Sequence, residues 1–440
     1  MLHPDHAIQR LRSIQPVTYA GAVTRIMPTW IEADGPNVAV GSLCKVESAD
    51  GKEAIHAEVI RVDASGIALV PFSNVRSLSV GARVEATHTM AQLPVGFEFL
   101  GRAVDALGQP IDGGDEILTA DYGALDPDPP SPLDRENSDE LLETGIRTID
   151  GLLPLGRGQR IGIFAASGVG KTSLISQLLR QVDADVCICC LVGERGREVE
   201  AIWANELAGD ARKRSVLVAS TSDQAAALRV RAVRQATALA RFYRDAGLHV
   251  FLVVDSITRF AMALRELGLA AGEPPTVRAY TPSVFSVIPR LVEQAGALKS
   301  GGSISAAITI LSENDDVEDP LSEMMKSLLD GHVILSRSMA ERGLFPAINP
   351  LKSVSRNSHK LMTAAHRSAA QKSHALMAAY EQSRTMIDAG LYTAGSSAEI
   401  DNAIAAQPRL DDFMRQDLEV ASTIDATTEQ LQTLLRQINA

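Results

Sequence analysis

Positive charge is in short supply in this 440-residue chain: 42 Lys and Arg stand against 54 Asp and Glu, a net charge of −12. A broad nucleic-acid-binding face needs a surplus of cations, so nucleic acid is not an expected partner. Aromatic residues are also scarce, at 4%, which leaves few platforms on which single-stranded bases could stack. The four cysteines, Cys44, Cys187, Cys189 and Cys190, fit no disulfide framework, as in a reducing cytosol. Three of them fall in the apolar run 186–192, where cysteine reads as a small hydrophobe in a buried strand rather than a metal ligand. No apolar stretch approaches the ~18 residues that span a bilayer, and residues 1–15 do not read as a signal peptide. A soluble, cytoplasmic protein is expected, with any membrane association made through partners.

What is present is a chain long enough for two to three domains, with an ordinary 45% hydrophobic and 22% charged residues. Ile8, Leu11 and Ile14 are spaced for one face of a short N-terminal helix. From 18 to about 91, short β-rich runs alternate with Gly, Asn and Asp turns, the pattern of a small barrel. A hairpin-like turn follows at Leu107-Gly-Gln-Pro110, and the proline-rich stretch 125–133 reads as an extended connection. From 144 to about 338, strand-like apolar runs alternate with helical patterns, which predicts a parallel sheet with helices on both faces. The last ~80 residues are Ala-rich and helical. There Leu431, Leu434, Leu435 and Ile438 form a stripe that predicts core packing.

Chemistry concentrates at three strand ends. The run Ile161-Gly-Ile-Phe-Ala-Ala-Ser-Gly-Val-Gly-Lys-Thr172 reads as a buried strand, a glycine loop and a helix start. Gly168 and Gly170 let successive N–H groups curl around an anion, and the helix beginning near Lys171 adds its positive end. Lys171 can then reach β- and γ-phosphates, and the Thr172 hydroxyl can hold Mg²⁺. In Leu191-Val-Gly-Glu-Arg-Gly-Arg-Glu-Val199 a strand ends in charge, and Glu194 there could deprotonate a water, or could simply pair with Arg195 or Arg197. The run His249-Val-Phe-Leu-Val-Val-Asp255 delivers a second carboxylate to the same sheet edge, where Asp255 can support a metal through water.

The series as a whole resembles the F1-type rotary ATPase superfamily and, within it, the flagellar and virulence type III protein-export ATPases. The resemblance is carried by Leu152-Leu-Pro-Leu-Gly-Arg-Gly-Gln-Arg160, the phosphate loop, Gly193-Glu-Arg-Gly-Arg-Glu198 and Val254-Asp-Ser-Ile-Thr-Arg-Phe-Ala-Met262. It continues through Gly272-Glu-Pro-Pro275, Tyr280-Thr-Pro-Ser-Val-Phe285, Asp330-Gly-His-Val-Ile-Leu-Ser-Arg337 and Phe345-Pro-Ala-Ile-Asn-Pro-Leu-Lys-Ser-Val-Ser-Arg356, in that order, over roughly 20–440. It implies an α/β fold with a small β-barrel (18–92) after the N-terminal helix (1–17), a central RecA-like parallel-sheet nucleotide-binding domain (93–358) and a C-terminal helical domain (359–440).

It further implies ATP and Mg²⁺ as cofactors. Ala166, Ser167, Gly168, Val169, Gly170, Lys171, Thr172 and Ser173 would surround the phosphates, Thr172 and Asp255 the metal. Glu194 would activate water, and Phe345 would stack on adenine with Tyr392 as the other wall. Arg356 would be supplied to the neighbouring subunit's nucleotide, which requires a ring, a homohexamer. The implied partners are a dimeric stator-like regulator at the N-terminus, a central coiled-coil stalk, the export gate and export chaperones, at the inner membrane. Two departures stand out: Ala166 where a Gly is usual, tolerable if its φ is negative, and Asn349 in place of the usual Asp. A rotary ATP synthase catalytic subunit is the alternative, and an RNA-translocating helicase a more distant one. The intact Glu194 and Arg356 in one chain speak for a homo-ring, and flagellar export is expected over virulence.

Overall fold

The structure, a computed structural model, describes residues 19–48, 51, 54–88, 91–136, 140–311 and 319–438. The expected N-terminal helix lies outside these residues. Six antiparallel strands, β1 (Ala20–Ile26), β2 (Ile31–Ala33), β3 (Leu43–Glu47), β4 (Ala54–Asp63), β5 (Gly66–Pro71) and β6 (Arg83–His88), close into a barrel in the order β1-β2-β5-β4-β3-β6. In β3 the side chains alternate inward and outward, as the strand period requires, whereas β5 is buried from Ile67 to Pro71. In β3, Cys44 and Val46 are buried while Lys45 between them is exposed. Val23, Ile31, Val59, Leu69 and Val84 complete the filling. Gly66, at φ +133°, opens the β4–β5 hairpin where a Cβ would sit 2.1 Å from the Ala33 carbonyl oxygen, so no larger residue fits there.

The central sheet is parallel and buried on both faces, which is why its strands are continuous apolar runs rather than alternating ones. It contains β7 (Arg160–Ala165), β8 (Val186–Glu194), β9 (Ser215–Thr221), β10 (His249–Asp255), β11 (Ser303–Leu311) and β12 (Gly331–Ile334), in the order β12-β7-β11-β10-β8-β9. Ala103–Val104 adds a parallel strand beyond β9, and Val354–Ser355 an antiparallel one beyond β12. All nine residues of β8 are buried, and its three cysteines are free thiols in the core. Burial pushes the Cys187 thiol up to about 11, away from thiolate chemistry.

Helix α1 (Lys171–Gln181) covers one face together with the C-terminal helices. The other face is covered by α2 (Ala226–Asp245), α3 (Ile257–Ala270), α4 (Pro282–Val292) and α5 (Pro320–Leu328). Helix α2 also grips the barrel. Arg231 reaches Glu58 of β4 at 3.1 Å, both side chains buried. Further along α2, Gln235 donates to the Pro94 carbonyl at 2.6 Å and the Tyr243 hydroxyl to the Gly96 carbonyl at 2.9 Å.

The C-terminal end is three helices, α6 (Ala364–Asp388), α7 (Ala398–Met414) and α8 (Ile424–Ile438). Leu431, Leu434 and Leu435 are buried in the core shared with α1, so the apolar stripe is packing. This end docks on residues 143–151: the Glu143 carboxylate accepts from Ile424 N, Gly145 O from Ser422 N, and Gly151 O meets the His366 ring, each at 2.9–3.1 Å. Among the described residues no helix is long and apolar enough to cross a membrane.

Candidate active site

Parallel sheets offer their ligand site beyond the carboxyl ends of the strands, and the three expected elements meet there. Strand β7 ends at Ala165, and the loop turns through Gly168 (φ +80°) and Gly170 (φ +95°) into α1. Both angles lie where a side chain is strained. Leu174 N bonds to Gly170 O at 3.0 Å, so the helix starts at Lys171. Ala166 is not among the positive-φ residues, which is why it can replace glycine.

Glu194 closes β8 through a break in register: Val192 pairs with Ser220 and Glu194 with Thr221 on β9, leaving Gly193 as the extra residue. The φ of +69° at Gly193 accommodates this bulge, which shifts the alternation of side chains at the strand's end. The Arg259 side chain of α3 lies against Gly193, where a Cβ would meet it at 2.9 Å. Its guanidinium donates to the Gly193 carbonyl and approaches the Glu194 carboxylate at 3.3 Å. Asp255 ends β10, level with Leu191 of β8.

Glu194 is 5% exposed and Asp255 2%. Lys171 Nζ bridges them, at 3.3 Å from Glu194 Oε1 and in direct contact with Asp255 Oδ1. Thr309, fully buried on β11, donates its hydroxyl to the same Asp255 oxygen at 2.7 Å. Burying two carboxylates is costly unless cations and donors meet them. Here one ammonium, one guanidinium and one hydroxyl do so. The arrangement suits polyphosphate chemistry: a cation able to turn toward phosphate at a helix N-terminus, and two carboxylates beside it for a metal and a water.

Phe345 also reaches this place. A Cβ on Gly170 would meet its ring at 3.4 Å, and the ring is 42% exposed. Its carbonyl accepts from Gln416 N at 2.9 Å, and Gln416 in turn accepts from Arg147 N at 2.8 Å. Tyr392 requires a correction. Its hydroxyl donates to Asp401, at the start of α7, at 2.9 Å, whereas Phe345 is bonded just past the end of α7. The two are separated by roughly 20 Å along that helix, so the structure does not bring Tyr392 to the site. The segment that faces Phe345 is the one around Gln416.

Arg356 is likewise distant from its own phosphate loop. Its backbone N bonds to Asp330 O at 3.0 Å, and Asp330 N to Arg160 O at 2.8 Å. It therefore lies level with the start of β7, roughly 15 Å from the loop at the other end of that strand. Asn349 keeps its turn without the charge, its Oδ1 accepting from Leu351 N and Lys352 N at 3.0 and 3.1 Å.

Sequence reasoning gave no role to Arg259, Thr309 or Gln416. Arg259 stands in a quoted motif, at the i+4 position from Asp255, which could have marked it. Thr309 is one hydroxyl in an apolar run, and Gln416 is far from the loop in sequence, so neither carried a local signal.

Comparison with known proteins agrees with this geometry. Residues 145–355 match the ATP synthase alpha/beta family nucleotide-binding domain, and 362–433 match the T3SS EscN ATPase C-terminal domain. The chain is 41% identical to a flagellum-specific ATP synthase of Bacillus subtilis, over 94% of each chain. It is 40% identical to a type 3 secretion system ATPase of Sinorhizobium fredii, over 92% of this chain and 90% of that one. The assembled EscN ATPase from the enteropathogenic E. coli type III secretion system superimposes with a TM-score of 0.88 at 37% identity, covering 94% of this chain and all of that one. The same ATPase in complex with its central stalk EscO gives 0.86.

Proposed function

We propose a flagellar export role for this chain, on the premise that it belongs to the family of flagellum-specific and type 3 secretion ATPases. As a member it is an ATP-hydrolysing enzyme with an ATP synthase alpha/beta nucleotide-binding domain. The observation that carries the mechanism is Lys171 between two buried carboxylates at the carboxyl edge of the sheet. The loop amides from Ala166 to Ser173 and the Lys171 ammonium bind the ATP phosphates, while Phe345 offers its ring to adenine. Glu194 orients the attacking water and takes its proton, with Arg259 holding the second carboxylate oxygen.

The donor set fits Mg²⁺. That ion takes one or two protein oxygens and fills its octahedron with phosphate and water, and Thr172, exposed on the first turn of α1, and Asp255 are of that kind. Mg²⁺ would neutralise charge on the phosphates when bound.

Arg356, at the opposite sheet edge, serves a neighbour's nucleotide, so the working form is a ring of identical chains, a homohexamer. The EscN–EscO complex supports a central stalk as partner. Residues 1–17 would take the stator-like regulator, and the helical end would face the export gate and chaperones at the inner membrane. The flagellar assignment follows the flagellum-specific relatives, 35–41% identical, a range that also contains the secretion ATPases. Deleting the gene in its host tests it: loss of flagellar filaments is expected, and loss of secreted effectors with filaments intact overturns it.

The mechanism has a separate test. Glu194→Gln should bind ATP with parental affinity and turn over at least ~10²-fold more slowly. Near-full activity would remove the water-activating role. ATPase activity per chain should also rise steeply with protein concentration without any partner, and a flat profile would argue against shared sites.

A further inference from the structure

We propose that Asp330, clamped by Arg160, is a positioning residue for Arg356, and so acts on hydrolysis in the neighbouring subunit rather than in its own. The inference rests on the reading of Arg356 as a residue supplied in trans. Asp330 precedes β12 and takes three hydrogen bonds from one residue: Arg160 N and Nε on Oδ2 at 2.9 and 3.0 Å, and Nη2 on Oδ1 at 3.1 Å. The fork geometry of a guanidinium on a carboxylate fixes both orientation and distance. The remaining arm of Arg160 reaches Glu293 Oε1 at 2.7 Å, whose other oxygen is held by Arg135 at 2.8 Å. The carboxylate of Asp330 is thus locked to the base of β7 from one side.

From the other side the Asp330 backbone holds Arg356. Its carbonyl accepts from Arg356 N, and the antiparallel pairing of Gly331 with Ser355 fixes the register. The Arg356 guanidinium donates to the carbonyl of Lys326 at 2.8 Å, at the carboxyl end of α5. A helix terminus of that polarity favours a cation. An arginine carries five N–H donors, and Arg356 is exposed, so it is both aimed and free to meet a phosphate from another chain. Two anchors therefore set it: the α5 carbonyls orient the guanidinium, and Asp330 sets where its backbone stands. A small displacement at such a site costs on the order of 10²-fold in rate.

The pair could instead serve only to hold the sheet edge together, and mixing chains separates the two possibilities. A Lys171→Ala chain cannot bind ATP but keeps Asp330 and Arg356 to lend. Mixed with Arg356→Ala, it should restore hydrolysis if arginine is shared between subunits. Asp330→Asn alone should lose about 10–100-fold in kcat with KM for ATP within about twofold. Mixing it with Lys171→Ala should restore activity to the same degree as the Arg356→Ala mixture. Failure to restore Asp330→Asn while the arginine mixture recovers would overturn the inference, as would a large rise in KM. If the arginine mixture itself does not recover, the trans reading fails and the inference falls with it. Should Asp330→Asn not fold by thermal melt, Arg160→Gln breaks the same clamp from the other side and is judged by the same mixing result.

Discussion

Strands β7 and β10 each begin on a polar side chain and lead at the other end into the site, and the two ends are treated differently. At the amino edge, Arg160 opens β7 inside a bidentate pair with Asp330, and His249 opens β10 with its Nε2 on Ser305 Oγ at 2.9 Å. At the carboxyl edge, β7 gives way to the phosphate loop and β10 ends in Asp255, where one lysine serves two carboxylates. At the amino edge Arg160 grips Asp330 in fork geometry with its spare arm on Glu293, and His249 meets a hydroxyl. The carboxyl edge shares one ammonium between two carboxylates, an arrangement that a phosphate can re-sort. The same strands supply rigidity from one end and reactivity from the other.

Changes at the carboxyl edge should therefore act on turnover, and changes among the amino-edge groups on stability or on the neighbour. The largest effect is expected from Lys171→Ala, which should leave no measurable nucleotide binding or hydrolysis. A variant retaining above about a tenth of parental activity would break the contrast.

Next is His249→Gln. Burial, aided by Arg157, pulls the imidazole down to about 4, from an ordinary value near 6.5. Between those values the unfolded chain binds the proton and the folded one does not, so stability is present above pH 6.5 and is lost as pH falls toward 4. The contribution is about 3 kcal/mol. Buried Asp150, pushed up to about 7 by desolvation, slopes the other way, so the quantity to measure is the difference between variant and parent urea midpoints from pH 4 to 7. His249→Gln should remove the loss that the parent suffers below pH 6.5, so the variant gains on the parent as pH falls from about 6.5 toward 4, and leave kcat unchanged. A variant–parent difference that stays constant from pH 4 to 7 would remove His249 from the account.

The smallest effect belongs to Tyr392→Phe. Losing its bond to Asp401 should lower stability by about 1 kcal/mol and leave KM for ATP where it was. A several-fold rise in KM would return Tyr392 to the nucleotide.

The contrast between edges also marks what could be read from sequence. The barrel, the parallel sheet and the phosphate loop were legible because period, glycine placement and apolar runs are local properties of 160–172, 186–194 and 249–255. Asp255 and Glu194 were legible because strand polarity alone puts them on one edge. The position of Arg356 on the opposite edge was not, since it depends on the antiparallel return of Val354–Ser355 beside β12. Tyr392 was misplaced for a related reason: a Gly-Leu-Tyr run says nothing about which end of α7 it will meet. Thr309 was invisible because a single hydroxyl in a buried run gains meaning only from the strand that lies beside it.

The grip of α2 on the barrel has a mechanical consequence. Arg231, Gln235 and Tyr243 fasten the helix to Glu58, Pro94 and Gly96, across the stretch where barrel passes into sheet. That bracing opposes hinge motion between barrel and sheet. The helical end is fastened as well: Arg147 Nε donates to the Phe413 carbonyl at 2.9 Å, Gln416 Nε2 to the Gly145 carbonyl at 2.7 Å, and Leu431, Leu434 and Leu435 share a core with Ile146 and Ile149. Strain set up at the nucleotide edge is then passed to both ends through packed contacts rather than absorbed at a joint.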